Sequence, residues 1–128
     1  MSSSVSAVLF AKDARRVAQF YVAVFAGTLR AEDAHHASLD VGGFSLVVHA
    51  IPAHLAKDVE IRNPPLRREM AAIRLDYSVG DLAKARSTAT ELGGQIDDEP
   101  PGWAGEERRF FLGFDPEGNV FGIFVEGR

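Results

Sequence analysis

Cysteine is absent from this chain of 128 residues. Its absence excludes thiolate catalysis, cysteine-ligated zinc sites and a disulfide scaffold. Positive charge is also scarce, because 14 Lys and Arg stand against 18 Asp and Glu and give a net charge of −4. Such a chain has no basic field that would attract phosphate backbones or anionic lipids. We therefore expect neither nucleic acid nor a membrane as a partner.

Long apolar runs are missing as well. The stretch Ala18–Ala26, interrupted by Gln19, is far shorter than the ~20 residues that cross a bilayer. Residues Met1–Ser4 show no basic segment followed by an apolar one, which is the pattern of a secretory signal. Of all residues, 46% are hydrophobic, which is enough for one core at this chain length. These observations predict a single cytoplasmic domain over residues 1–128.

The first half of the chain alternates strand and helix signals. The apolar run Val5–Ala11 is typical of a strand, and Asp13 can cap a helix that Gly27 ends. An apolar stripe at helical spacing lies between them. The stripe consists of Val17, Phe20, Tyr21, Val24 and Phe25. Three predicted strands follow at Thr28–Asp33, His36–Val41 and Phe44–Ala50. The order of this first module, residues 5–50, is βαβββ.

The second half repeats that order after a connector, residues 51–70, that is rich in proline and charge. Ala71–Val79 is a predicted strand, Asp81 a helix cap, and Gly93 the end of the helix. The remaining predicted strands are Gln95–Asp98, Arg108–Phe114 and Asn119–Val125. Two equivalent modules, the second over residues 71–126, predict a tandem duplication and an α+β fold class.

Three motifs occur in a fixed order along the chain. The first is Lys12-Asp13 followed by Phe20-Tyr21 and residues 25–27, the second is Ser78–Leu82 leading to residues 92–94, and the third is Asp115–Phe121. Together they resemble the vicinal oxygen chelate superfamily, which includes glyoxalase I, extradiol dioxygenases, fosfomycin-resistance enzymes and bleomycin-resistance binding proteins. The resemblance implies that paired βαβββ modules form a cup-shaped mixed sheet, with helices outside and a small-molecule ligand inside. It also implies a homodimer.

Metal-dependent members of that superfamily hold a divalent cation with four side chains, one from the first and one from the last strand of each module. Counted from the motifs, these positions fall on Ser6, Val47, Arg74 and Gly122. None of them offers the imidazole or carboxylate that a divalent metal needs. A slip of two residues at Val47 would bring in His49, which is a single donor. The resemblance therefore implies the metal-free, ligand-binding branch, with no cofactor.

Strand alternation predicts which side chains line the cup. Inward-facing positions are Ser45, Val47 and His49, then Arg74, Asp76 and Ser78, then Arg109 and Phe111, and finally Val120, Gly122 and Phe124. The helix-facing positions are Leu46, Val48, Ile73, Leu75, Tyr77, Phe121 and Ile123. The predicted ligand-binding residues are Ser6, Val8, Val47, His49, Arg74, Asp76, Trp103, Arg109, Phe111 and Phe124.

Several of these side chains have a structural alternative. Arg74 and Asp76 either clamp a ligand or satisfy each other as an ion pair across the pleat. His49 is a general base or a hydrogen-bonded wall residue. Trp103 stacks on a ligand, plugs a sheet edge or forms a dimer contact. Arg109 contacts ligand or ends a solvated strand. The adjacent pair His35 and His36 is interpreted as surface residues of a turn.

The leading hypothesis is a metal-independent binding protein of the bleomycin-resistance type that encloses an aromatic or amphipathic molecule. No catalytic residue is assigned. The first alternative is a metal-dependent lyase, isomerase or dioxygenase of the glyoxalase type. The second is an interaction domain whose cup is filled by its own aromatic side chains, namely Phe111, Phe124 and Trp103.

Overall fold

The first module of the chain forms one four-stranded sheet and one helix. The structure is a computed structural model that describes residues 5–104 and 109–125. Its first elements are β1 (Ser6–Ala11), α1 (Ala14–Val24), β2 (Thr28–Glu32), β3 (His36–Val41) and β4 (Phe44–Ala50). The sheet order is β1-β4-β3-β2, with β1 parallel to β4 and the other neighbours antiparallel.

The second module repeats this arrangement after the short helix α2 (Ala53–Ala56). Its elements are β5 (Asp76–Val79), α3 (Leu82–Glu91), β6 (Gln95–Ile96), β7 (Phe110–Phe114) and β8 (Val120–Val125). The sheet order is β5-β8-β7-β6, again with the first and last strands parallel. The predicted α+β class and the tandem βαβββ order are confirmed, and the hydrogen bonding divides the strands into two separate sheets.

Both long helices begin at the predicted caps. The Asp13 side chain accepts a hydrogen bond from the backbone N–H of Arg16 at 3.1 Å. Asp81 does the same for Lys84, also at 3.1 Å. Each cap satisfies a backbone donor that the first helical turn leaves without a partner.

Strand β5 is shorter than predicted, because it begins at Asp76 and not at Ala71. The prediction that Ile73 faces the core is wrong, since 79% of this residue is exposed. The strand is shorter because Arg68 of the connector forms a parallel bridge with Asn119, the residue before β8. The place beside the start of β8 is therefore taken by the connector, and the residues before Leu75 are left outside the ladder.

The helix-facing sides of both sheets share one aromatic core. Phe20 and Tyr21 of α1, with Phe25 directly after this helix, contact Tyr77 of β5 and Phe121 of β8. The rings of Phe25 and Tyr77 stack with centroids 4.2 Å apart. Helix α1 thus packs against the second module as well as its own sheet, and the sheet faces that point away from the helices are left open for other contacts.

The turn between β7 and β8 connects the second module to the start of α1. Asp115 is fully buried and accepts hydrogen bonds from the Tyr21 hydroxyl at 2.9 Å and from the backbone N–H of Glu117 at 2.8 Å. The Glu117 carboxylate accepts the backbone N–H groups of Lys12 and Asp13, at 2.8 and 2.7 Å. One turn therefore holds both a side chain of α1 and the residues that begin this helix.

Burial raises the pKa of Asp115 above its ordinary value, and the hydrogen bonds from Asn119, Glu117 and Tyr21 oppose that rise. Burial, followed by the charge of Asp115, also raises the pKa of Tyr21. The phenol is therefore protonated at neutral pH and donates to the carboxylate. A carboxylate without these donors would be costly at a fully buried position.

Tyr21→Phe should lower the free energy of unfolding by about 1–3 kcal/mol at pH 7, because it removes a donor to a buried carboxylate. A carboxyl whose folded pKa is raised makes this free energy fall as pH increases above 3.8, the ordinary pKa of an aspartic acid. Since the Tyr21 bond lowers the Asp115 pKa, the variant steepens that fall. Urea unfolding should therefore show a larger loss at pH 7 than at about pH 3.

Tyr77→Phe is the matched control, because Tyr77 lies in the same aromatic cluster and is equally well buried. Its hydroxyl has no hydrogen-bond partner among residues 5–104 and 109–125. The expected change in the free energy of unfolding is below about 0.5 kcal/mol at either pH. Equal losses in the two variants would contradict the role given to the Tyr21 hydroxyl.

Candidate functional site

The open face of the second sheet carries a cluster of charged and aromatic side chains. Asp76, on β5, pairs in register with Gly122 on β8, and Phe110 of β7 pairs with Phe124. Alternation places these residues opposite Tyr77, Phe121 and Ile123, which lie in the helix-facing core. We call this surface the open face.

Arg74 is the centre of the cluster on the open face. Its Nε and Nη2 donate to the two carboxylate oxygens of Asp76, at 2.7 and 3.1 Å. The guanidinium carbon lies 5.4 Å from the ring centroid of Trp103 and 5.1 Å from that of Phe110. Within the described part of the chain Arg74 Nη1 has no hydrogen-bond partner. The hydrogen bonds with Asp76 raise the pKa of Arg74, so this cation is permanent.

Gly122 makes room for the ion pair. A Cβ atom built at this position would collide with the Asp76 carboxylate and would lie 2.6 Å from Cζ of Phe110. Real Cβ atoms essentially never approach heavy atoms so closely. Any side chain at position 122 would therefore have to displace Asp76, Phe110 or both.

A groove of about 360 Å³ runs beside this cluster. Arg74 and Trp103 form one side, and Leu112, Val120 and Met70 supply apolar surface. Trp103 is 64% exposed and Phe124 39%. Phe110, whose ring centroid lies 5.4 Å from that of Trp103, is in contrast only 2% exposed.

A second cavity of about 330 Å³ adjoins Asp76 on its other side. It lies between the β3–β4 hairpin and β5, and it is walled by the aromatic rings of Phe25, Phe44, Tyr77 and Phe124. This second cavity reaches Phe25 and Tyr77 of the helix-facing core, whereas the groove beside Arg74 also contains Arg68 and Glu69. Apolar hollows and charged groups therefore lie side by side around Asp76.

The prediction that Phe111 and Arg109 face the cup is wrong. Phe111 pairs with Ile123, is buried in the helix-facing core, and has the Arg86 guanidinium 4.7 Å from its ring centroid. Arg109 precedes β7 and is exposed, at the same parity as Phe111. Phe110 takes the inward place. Two adjacent phenylalanines give no apolar-polar contrast, so alternation could not fix which of them points inward.

The first-module residues of the predicted site lie on the other sheet. Val8 pairs with Val47, and Phe10 pairs with His49, on one exposed face of β1 and β4. Ser6 and Val8 line a cleft of about 390 Å³ between β1 and the segment that leads to β5. The groove beside Arg74 contains none of Ser6, Val8, Val47 and His49. The structure therefore brings together Arg74, Asp76, Trp103 and Phe124. Ser6 and Val8 line a neighbouring cleft that shares Val120 with the groove beside Arg74, and Val47 and His49 line neither cavity.

The four positions at which the resemblance implies a divalent cation do not fit one. Ser6, Val47 and Gly122 offer no imidazole or carboxylate, and Arg74 is a cation bound to Asp76. His49 pairs with Phe10, four residues along β1 from Ser6, so it lies about 13 Å away along the strand. Within residues 5–104 and 109–125 no group of three or more His, Asp or Glu side chains could hold a metal ion. We derive no chemical step through such an ion.

Sequence reasoning missed two residues of these faces. Phe110 was hidden by its neighbour Phe111, as described above. His36, assigned to a turn, is the first residue of β3 and lies opposite His49. The predicted boundaries of β3 and β4 contain the signal that could have found this pairing, because a tight hairpin at residues 42–43 fixes the register.

Two βαβββ modules that share a helical core and expose open sheet faces define the vicinal oxygen chelate class of proteins. Within that class, the chain belongs to the family described as the glyoxalase-like domain, whose sequence profile matches residues 6–124. The superfamily predicted from the three motifs is thereby confirmed. A search of curated proteins gives no significant match.

Solved structures with the same fold cover nearly the whole chain. A glyoxalase/bleomycin resistance protein/dioxygenase family enzyme from Burkholderia phytofirmans is 21% identical, with 96% of this chain and 98% of that one covered at a TM-score of 0.70. A glyoxalase/bleomycin resistance protein from Albidiferax ferrireducens is 14% identical, with coverage of 98% and 100% and a TM-score of 0.64. At these identities the likeness shows the shared fold.

A fosfomycin resistance protein from Listeria monocytogenes, complexed with Mn(II) and sulfate ion, is also similar. It is 12% identical, with 99% of this chain and 92% of that one covered at a TM-score of 0.69. The fold of this chain thus also occurs in a protein that holds a metal ion. Among the described residues of this chain, no helix is both long and apolar enough to span a membrane.

Gly122→Ala should lower the free energy of unfolding by about 1–3 kcal/mol, because its Cβ overpacks the site of Asp76 and Phe110. It should also change the fluorescence of Trp103, the only tryptophan, which lies against Phe110 and Arg74. Urea unfolding and emission spectra measure the two effects. Gly80→Ala is the control, since a Cβ at this position meets nothing within 4 Å. Identical behaviour of the two variants would contradict the packing role of Gly122.

Proposed function

We propose that this chain is a metal-independent binding protein that holds a small aromatic or amphipathic anion on the open face of its second sheet. The observation that carries the proposal is Arg74, which is fixed by Asp76 and flanked by Trp103 and Phe110. Among residues 5–104 and 109–125, its Nη1 donors have no partner. Its position is one at which metal-dependent relatives would need a ligand donor. A fixed cation there supports recognition of an anionic group without a metal.

The surroundings of Arg74 favour an aromatic ligand. Trp103 is 64% exposed and sits beside a groove with Leu112 and Val120 on its floor. Arg68 and Glu69 also line this groove, so an exposed tryptophan lies among charged groups and can supply stacking area to a ligand that Arg74 orients. By analogy with the bleomycin-resistance proteins, the biological role would be to sequester a toxic compound and so to confer resistance in the cytoplasm.

We further propose that the protein is a homodimer. On the first sheet, the face that points away from the helices exposes Val8 (53%) and Phe10 (57%). The segment before β5 exposes Ile73 (79%) and Met70 (94%). Apolar side chains of this size, exposed at such levels, support a surface that another subunit covers. Native mass spectrometry of untagged protein should give twice the mass of the chain, and a monomer at micromolar concentration would contradict this proposal.

Arg74→Ala should weaken the binding of anilinonaphthalene sulfonate, a fluorescent aromatic anion, by at least about tenfold, or ~1.4 kcal/mol. The loss of one guanidinium partner explains this decrease, and Arg74→Lys should be intermediate because it keeps the charge without the planar fork. Folding should change little, since a salt bridge that is about one-third exposed contributes at most about 1 kcal/mol. Fluorescence titration measures the affinity.

Arg30→Ala is the matched control, because Arg30 also pairs with an aspartate, Asp40 at 3.3 Å, but on the first sheet. Its affinity for the probe should equal that of the unmodified protein. Binding should also survive treatment with a chelator. Unchanged affinity in Arg74→Ala would overturn the proposed site, and loss of binding after chelation would favour the metal-dependent lyase, isomerase or dioxygenase alternative.

A further inference from the structure

Two histidines face each other on the open side of the first sheet. His36 on β3 pairs with His49 on β4 in the antiparallel register. The backbone N–H of Ala50 donates to the His35 carbonyl at 2.7 Å, so the hydrogen-bonded pair is the neighbouring one. The two histidines therefore occupy a non-hydrogen-bonded pair, in which opposite side chains are closest. Their ring centroids are 6.2 Å apart and the planes are inclined by 19°.

Each imidazole is oriented by an acceptor on the same nitrogen. His36 Nδ1 lies 3.0 Å from Oδ1 of Asp33, and His49 Nδ1 lies 2.8 Å from the carbonyl oxygen of Ala50. Both partners can only accept, so each Nδ1 carries the hydrogen. In a neutral ring the remaining nitrogen, Nε2, then presents a lone pair. Neither Nε2 has a partner within the described part of the chain.

This is the arrangement that metal-binding histidines have in proteins, where the second ring nitrogen donates to a carboxylate or a backbone carbonyl. Asp33 is itself fixed, since its Oδ1 accepts the backbone N–H groups of His35 and His36 at 2.8 and 2.9 Å. The imidazole of His49 is further supported by Phe10, whose ring centroid is 5.6 Å away. Each ring is thus held through its Nδ1, and its Nε2 has no partner among residues 5–104 and 109–125.

The cations near the pair are engaged elsewhere. The ammonium group of Lys12 donates a hydrogen bond to the carbonyl oxygen of Val59, and Arg15 pairs with Glu32 at 3.4 Å. His36 is half-exposed and borders a groove of about 360 Å³ that also contains Asp33, Asp13 and Glu32. Carboxylates in this groove lower the electrostatic cost of bringing a cation to the histidines.

We propose that Nε2 of His36 and Nε2 of His49 bind one divalent late-transition-metal cation, such as Zn²⁺, with water in the remaining positions. Imidazole nitrogen selects zinc, copper and nickel over magnesium. Zinc–nitrogen distances of about 2.0–2.1 Å place two rings on a tetrahedral ion about 5 Å apart. The stacked rings must therefore approach by about 1 Å and rotate until both Nε2 lone pairs point at the ion. This site is separate from Arg74 and does not depend on the function proposed above.

The test is calorimetric titration of the untagged, chelator-treated full chain with ZnCl₂, and with MgCl₂ for comparison. One equivalent of Zn²⁺ per chain should bind saturably, and Mg²⁺ should give no heat. His36→Asn and His49→Asn should each weaken Zn²⁺ binding at least about tenfold, and Asp33→Asn by about 10–100-fold, as outer-shell partners do. His54→Asn, at an exposed histidine of α2, is the control and should bind as the unmodified chain does.

A second measurement locates the metal directly. Nitrogen NMR of the histidine rings should show that Nε2 of His36 and His49 shifts when Zn²⁺ is added, while both Nδ1 atoms keep their hydrogens. Zinc affinity that is unchanged in both histidine variants, or the absence of a saturable equivalent, would overturn the proposal. Arg74→Ala should leave zinc binding intact, and His36→Asn should leave probe binding intact, so failure of either proposal is recognised separately.

Discussion

The buried carboxylate of Asp115 is the interaction on which the arrangement of the two modules depends. It gathers donors from its own turn and from Tyr21 of α1, while Glu117 two residues later holds the start of the same helix. A fully buried charge is tolerated only when its oxygens are satisfied. The aromatic cluster of Phe25, Tyr77 and Phe121 then packs where this turn fixes α1 against β5 and β8.

Because the helices of both modules share one core, the sheets present their other faces outward, and chemistry can be built there without disturbing the core. On the second sheet, this outward face carries an ion pair flanked by aromatic rings. On the first sheet, the outward face carries apolar side chains and the imidazoles of His36 and His49. Fold and site are therefore separable in this chain, as they are in other folds that host several functions.

The fold followed from local signals that do not need the partner strand to be known. Asp13 and Asp81 cap helices because a carboxylate can accept a backbone N–H three residues ahead, and this depends on nearby sequence alone. The residues of the candidate site could not all be predicted from local sequence, because their positions depend on strand pairing. Phe110 and Phe111 differ only in which face they occupy, and that parity is fixed by pairing with β8.

Cross-strand and cross-segment placement explains the other differences. His36 meets His49 only through the register of β3 with β4, and Ile73 lost its core position because Arg68 pairs beside Asn119. Arg74 and Asp76 were placed together correctly because they are two residues apart on one face. Of their aromatic partners, Trp103 was included in the predicted site and Phe110 was missed, because the position of Phe110 depends on its pairing with β8.

Gly122 limits which single substitutions the open face can accept. A carboxylate side chain introduced at this position would enter space that Asp76 and Phe110 already fill. Placing a metal-ligating residue there would require a smaller side chain at position 76, and Arg74 would then lose its counter-ion. Packing around Gly122 therefore opposes a larger side chain at this position as long as Asp76 and Phe110 stay where they are.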